Sequence, residues 1–152
     1  MFANKIVVAY NDTDLSNDLL DYVHGILALN SEIKLDIIYS YDEPVGLQSA
    51  FHQNFDSDLG EMEGVAQKII LKGEEKFADL PNSVEGYICK GSPATAILDH
   101  AKSTGADLIV IGNRGFTGIR EFVSSVSRTV QSKAHIPVLI FPKFAKKDLE
   151  QE

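Results

Sequence analysis

Glycines and serines gathered in one short stretch carry the clearest chemistry of the chain. Gly112, Gly115 and Gly118 follow the apolar run Leu108-Ile109-Val110-Ile111. Ser124, Ser125 and Ser127 open a helical pattern that ends before a second apolar run, Val138-Leu139-Ile140-Phe141. The order is strand, glycine loop, helix, strand. A helix start leaves about four backbone N–H groups without partners, and the helix dipole adds partial positive charge there, so an anion is stabilised. Glycine lets the backbone approach a ligand closely, and serine hydroxyls can donate to phosphate oxygens. Arg114 sits in the same loop, where its guanidinium either pairs with a phosphate or stays solvated. The same residues also read as a capped tight turn that holds no ligand.

Composition narrows what such a site can serve. The 152 residues suit one domain with a buried core. Hydrophobic residues make up 44% and charged residues 24%, an ordinary globular mix. A net charge of −8 argues against non-specific nucleic-acid binding, which needs a basic face. Cys89 is the single cysteine, so no intrachain disulfide can form. His24, His52, His100 and His135 are scattered without metal-ligand spacing. No apolar run reaches membrane-spanning length, and the N-terminus lacks a signal-peptide core. A cytoplasmic protein without a membrane partner is expected.

The glycine loop is the last of several strand-to-helix turns. Lys5 to Tyr10 reads as a buried parallel strand. It ends in Asn11-Asp12-Thr13-Asp14, with Asp14 or Ser16 as candidate caps of the next helix and Asp12 and Asp14 expected as caps or solvated charges rather than acid/base groups. Leu19, Leu20, Val23, Ile26 and Leu27 recur at helical spacing. Leu35 to Tyr39 is a second strand, and residues 45 to 56 read as a loop. A long helix is expected from Ser57 to about Leu80, with Val65 among its apolar positions. Val84 to Lys90 is a weaker third strand, interrupted by Glu85 and Gly86. Gly91-Ser92-Pro93 opens a helix that Gly105 closes. His24 and His100 are expected on helix surfaces, Cys89 as a small buried apolar residue, and residues 144–152 as a charged, frayed tail after a domain over 1–143. The alternation implies an α/β fold: a doubly wound, Rossmann-like, five-stranded parallel sheet of order 3-2-1-4-5. In such a sheet the turns after the first and fourth strands border one crevice.

These residues resemble the universal stress protein family from Lys5 to Pro142. The resemblance is carried by Gly91-Ser92-Pro93-Ala94 with Ile97-Leu98, by Ala106 to Gly112, and by Ser124-Ser125-Val126-Ser127 with Pro137-Val138-Leu139. It implies a five-stranded α/β domain, a homodimer through the last strand (Ile136 to Phe141), and a stress-response role. One branch of the family binds ATP or a related nucleotide through Gly, two residues, Gly, nine residues, Gly, then Ser or Thr. Gly112, Gly115 and Ser125 match that pattern. Ser124 stands where the third glycine belongs, and eight residues separate it from Gly115. Asn11 stands where the family often has an aspartate near the ribose.

The resemblance therefore implies an adenine nucleotide, ATP or AMP, with Mg2+ only if ATP is bound. Asn11 and Gly112 would hold the ribose side, and backbone near Ser40 the base. Gly115, Ser124, Ser125 and Val126 would offer amides to the phosphates, with Arg114 and Ser127 nearby. Ser124 and the shortened loop favour weaker binding or a shorter phosphate chain. Two other classes stay open: a protein–protein module with a degenerate nucleotide site, and a slow ATPase. The sequence shows no Ser-His-Asp, Cys-His or paired-carboxylate arrangement, so a binding protein rather than an enzyme is expected.

Overall fold

The computed structural model describes residues 3–41, 55–113 and 125–142, with the side chains of 55–59 left out. Residues 45–54 of the loop expected over 45–56, and the tail at 144–152, lie outside these residues; 55 and 56 belong to a helix instead. The strands are β1 (Lys5–Ala9), β2 (Lys34–Tyr41), β3 (Val84–Lys90), β4 (Leu108–Asn113) and β5 (Val138–Pro142). The helices are α1 (Asp14–Ala28), α2 (Phe55–Glu75), α3 (Pro93–Thr104) and α4 (Ser125–Lys133). The sheet order is β3-β2-β1-β4-β5 and every neighbouring pair is parallel, as the alternation predicts.

Successive strand residues point to opposite faces, and two cores result. Ile6, Val8, Leu35, Ile37, Leu108 and Val110 pack under α1 and α2, against Leu19, Leu20, Val23, Leu27, Ile70 and Phe77. Val7, Ile38, Ile109 and Ile111 pack under α3 and α4, against Ala94, Ile97, Ala101 and Val130. Both faces of the central strands are thus covered, which is why they read as unbroken apolar runs.

Several expectations change in detail. β2 continues through Ser40 and Tyr41 because the ladder with β3 runs on, pairing Ser40 with Cys89 and Tyr41 with Lys90. α2 begins at Phe55 and its regular part ends at Glu75. Beyond it, i to i+3 hydrogen bonds at Phe77, Ala78 and Leu80 make tighter turns that still bury Phe77. Those turns imitate helical spacing in the sequence. Val65 is 54% exposed and not part of the core. Gly86 does not weaken β3: a Cβ there would meet Ile70 Cγ2 at 2.2 Å, so its absence is what lets α2 pack on the strand. Gly105 caps α3 in the left-handed conformation, as expected.

His100 is not on a helix surface. Its ring lies against β2 and β3, with Nε2 2.8 Å from Asp36 Oδ2 and its centroid 4.5 Å from that of Tyr87. Lys5 Nζ lies 3.1 Å from the same Asp36 oxygen. Asp36 is 3% exposed; Lys5 from β1 pairs with its carboxylate and the His100 ring from α3 hydrogen-bonds it. His24 remains partly exposed and pairs with Asp79 at 2.9 Å. Cys89 is half-buried at the α3/α4 core, and burial pushes its thiol pKa up. Asn82, inside the expected helix-ending segment, reaches the carbonyls of Leu27, Asn30 and Ile33 with its amide nitrogen. It thereby closes the C-terminus of α1 and the turn into β2. No helix among the described residues is long and apolar enough to cross a membrane.

Candidate functional site

β1 lies between β2 and β4, and the chain leaves those neighbours on opposite sides of the sheet. This is the switch point of a doubly wound fold, where a crevice opens beyond the carboxyl ends of the strands. A cleft of ≈ 310 Å³ lies there, at the small end of ligand pockets, about 300–1,000 Å³. Ile38, Pro93, Ile97, Ile111, Val126 and Leu15 form its apolar wall. Asn11, Thr13, Ser16 and Ser40 add a hydrogen-bonding strip. An apolar slot with a few convergent polar groups is the composition of a small-molecule site.

The strip is built by the first turn. Thr13 is the N-cap of α1, and Ser16 returns the favour at the third helical position. The Thr13 hydroxyl accepts from the Ser16 amide at 3.2 Å, and the Ser16 hydroxyl accepts from the Thr13 amide at 2.9 Å. The Thr13 hydroxyl donates to Asn11 Oδ1 at 2.8 Å, which fixes the carboxamide at the mouth of the cleft. Neither Asp14 nor Ser16 is the cap. Thr13 takes that place because its extended backbone comes just before the first helical residue.

Between Asn11 and Thr13 stands Asp12 with φ 55, the one described non-glycine residue with positive φ. Asp12 is neither a cap nor a freely solvated charge. Its Oδ1 accepts from Asn17 Nδ2 at 3.1 Å and pairs with Lys72 Nζ at 2.7 Å. The Tyr10 hydroxyl lies 3.3 Å away and donates to Asn17 Oδ1 at 2.7 Å. The hydrogen bond from Lys72, then that from Asn17, holds the Asp12 carboxyl below its ordinary value. Burial, and then the charge of Asp12, pushes the Tyr10 phenol up.

The sequence-derived site residues separate into groups. Asn11, Ser40, Gly112 and Val126 line the cleft. The Ser40 hydroxyl donates to the Gly91 carbonyl at 2.7 Å, so its proton is already engaged and only acceptor capacity is left to the side chain. Gly112 has a packing role as well: a Cβ there would meet Leu15 at 3.1 Å. Ser125 and Ser127 lie on the first turn of α4; Ser127 is buried and Ser125 exposed. Arg114, Gly115 and Ser124 lie outside the described residues. Sequence reasoning missed Thr13 and Ser16 as a pair, because Ser16 stands where the capping-box signal has Glu or Gln. It also missed the apolar wall, whose members come from five separate segments.

The profile of the Universal stress protein family matches residues 3–142. The chain belongs to the universal stress protein family. The chain is 34% identical over 146 residues to universal stress protein YxiE of Bacillus subtilis strain 168, covering 90% of this chain and 97% of that one. It is similar in fold to the solved structure of hypothetical protein MJ0577, with a TM-score of 0.80 and 21% identity over 96% of this chain and all (100%) of that one. It is also similar in fold to a universal stress protein family protein of Arabidopsis thaliana, At3g01520, solved with AMP bound. There the TM-score is 0.67 and the identity 17%, covering 95% and 94% of the two chains. This family fold is what brings the carboxyl ends of β1 and β4 to one crevice.

The depressed Asp12 pKa has a definite sign. The carboxylate is the form that Lys72 and Asn17 stabilise, so its contribution is fully present above the ordinary value of 3.8 and is lost as pH falls through the lower folded value. In an NMR titration of the Asp12 carboxyl carbon the midpoint is expected below 3.8. A midpoint at or above that value would show that the carboxylate does not make these contacts in solution.

Proposed function

We propose that the cleft binds an adenine nucleotide and that the protein is a cytoplasmic regulatory module of the stress response, not an efficient enzyme. The observation that carries this reading is the pairing of an apolar slot with the Asn11-Thr13-Ser16 strip at the switch point. The AMP-bound Arabidopsis relative of the same fold supports it. The base would lie against Ile38, Pro93 and Ile97 and the backbone from Val110 to Gly112. Asn11 would take the ribose side. Amides of Gly115, Ser124, Ser125 and Val126 would take the phosphates, with Arg114 and the hydroxyls of Ser125 and Ser127 nearby. Ser124 in place of a glycine, and the loop one residue short, favour AMP over ATP. Mg2+ would enter only with ATP.

The same reading assigns the edge of β5, Ile136 to Phe141, to a two-fold homodimer. β5 is paired only with β4 among the described residues, and its apolar side chains Val138 to Phe141 are half-buried. An apolar edge of this kind invites another strand.

Calorimetry with AMP and ATP tests the site. AMP is expected to bind the wild type, and Gly115→Val to weaken it by about 1.4 kcal/mol or more, a factor of about ten, because a branched side chain fills the space the backbone concedes to phosphate. Equal AMP affinity in both proteins would remove the loop from the site. No heat and no thermal shift with either nucleotide would leave a fold that acts through partner proteins instead. For the edge, sedimentation equilibrium at micromolar protein is expected to show dimer, and monomer alone would reject it.

A further inference from the structure

Asp12 holds a backbone conformation that L-residues avoid, between two residues that line the cleft. Such a conformation persists only where its surroundings over-determine it. Here the partners come from three elements: Tyr10 at the end of β1, Asn17 on α1 and Lys72 on α2. The reach of Lys72 is itself arranged. The next residue, Gly73, is buried, and a Cβ there would meet the Tyr10 ring at 3.0 Å. The missing side chain lets α2 settle onto that ring, which brings the Lys72 ammonium to 2.7 Å from Asp12 Oδ1.

We propose that Lys72 is a positioning residue for the nucleotide cleft: from outside it, Lys72 holds Asp12 in the left-handed conformation and so sets the Asn11 carboxamide and the Thr13 cap. The proposal rests on the nucleotide reading above for its functional consequence. Lys72 is 54% exposed along its side chain. A pair this open adds little to global stability, so its effect appears in the turn and in ligand affinity rather than in the melting temperature.

Two measurements test it on the full chain. In calorimetry with AMP, Lys72→Ala is expected to raise the dissociation constant about threefold, and Lys72→Arg to restore it. Asp12→Gly removes the need for the tether, because glycine takes positive φ freely. On that background, Lys72→Ala is expected to change AMP affinity less than about twofold. An undiminished affinity in Lys72→Ala, or the same loss on both backgrounds, overturns the proposal. Hydrogen exchange at the Thr13 and Ser16 amides reads the tether without ligand. Lys72→Ala is expected to speed it about threefold in the native background and not with Asp12→Gly. If the wild type binds no AMP, the nucleotide reading fails by itself, and unchanged exchange in Lys72→Ala then overturns the tether.

Discussion

The cleft exists because one strand has neighbours that the chain leaves in opposite directions. β1 is hydrogen-bonded to β2 on one side and to β4 on the other. Right-handed crossovers then place α1 and α2 on one face and α3 and α4 on the other. Beyond the end of β1 no helix can cover both sides, so the first turn stands in the gap. Every other feature of the site depends on how that turn is held.

The turn is held from both faces. On the cleft side, Thr13 and Ser16 satisfy each other's amides and Thr13 fixes Asn11. On the α2 side, Asp12 is fixed by Lys72 and Asn17 and lies beside the Tyr10 hydroxyl. The fold stores its irregular conformation at one residue, Asp12, rather than across the loop. That choice leaves Asn11 and Thr13 on opposite sides of it, both directed at the cleft. Elsewhere charge is handled differently: Asp36 is buried on the sheet, pairs with Lys5 and is hydrogen-bonded by His100. Tyr87 packs on His100, and its hydroxyl donates to Glu85 at 2.5 Å, which with burial pushes its pKa up to about 12.

The sheet was legible in the sequence because its central strands are buried on both faces, and Lys5 to Tyr10 and Leu108 to Ile111 show that as unbroken apolar runs. The caps of α3 were legible because Ser92-Pro93 and Gly105 act through local backbone preferences. What stayed hidden depends on contacts distant in sequence. His100 on an amphipathic helix cannot be told from a surface residue until Asp36, in a different element, faces it. Asp12 looked like a cap or a solvated charge, because its partner Lys72 lies on α2 and its positive φ has no sequence signature. Thr13 is not marked as the cap in the sequence, because Ser16 replaces the Glu or Gln of the capping-box signal and Asp14 is an equally good capping residue type. Of the cleft, Asn11 and Gly112 stand at the turns the sequence pattern marks, Ser40 and Val126 are placed by the family resemblance, and the wall of Leu15, Ile38, Pro93, Ile97 and Ile111 is assembled only by the fold.

The central claim is that the carboxyl ends of β1, β2 and β4 form one nucleotide cleft. Amide chemical-shift mapping on isotopically labelled protein with AMP added tests it most directly. The account predicts the largest changes at Asn11, Thr13, Ser40, Gly112 and Val126, with Lys5, Asp36 and His100 unmoved. No change at saturating AMP, or changes gathered instead along the groove between Cys89 and Ser103 at the β3 edge, would contradict it.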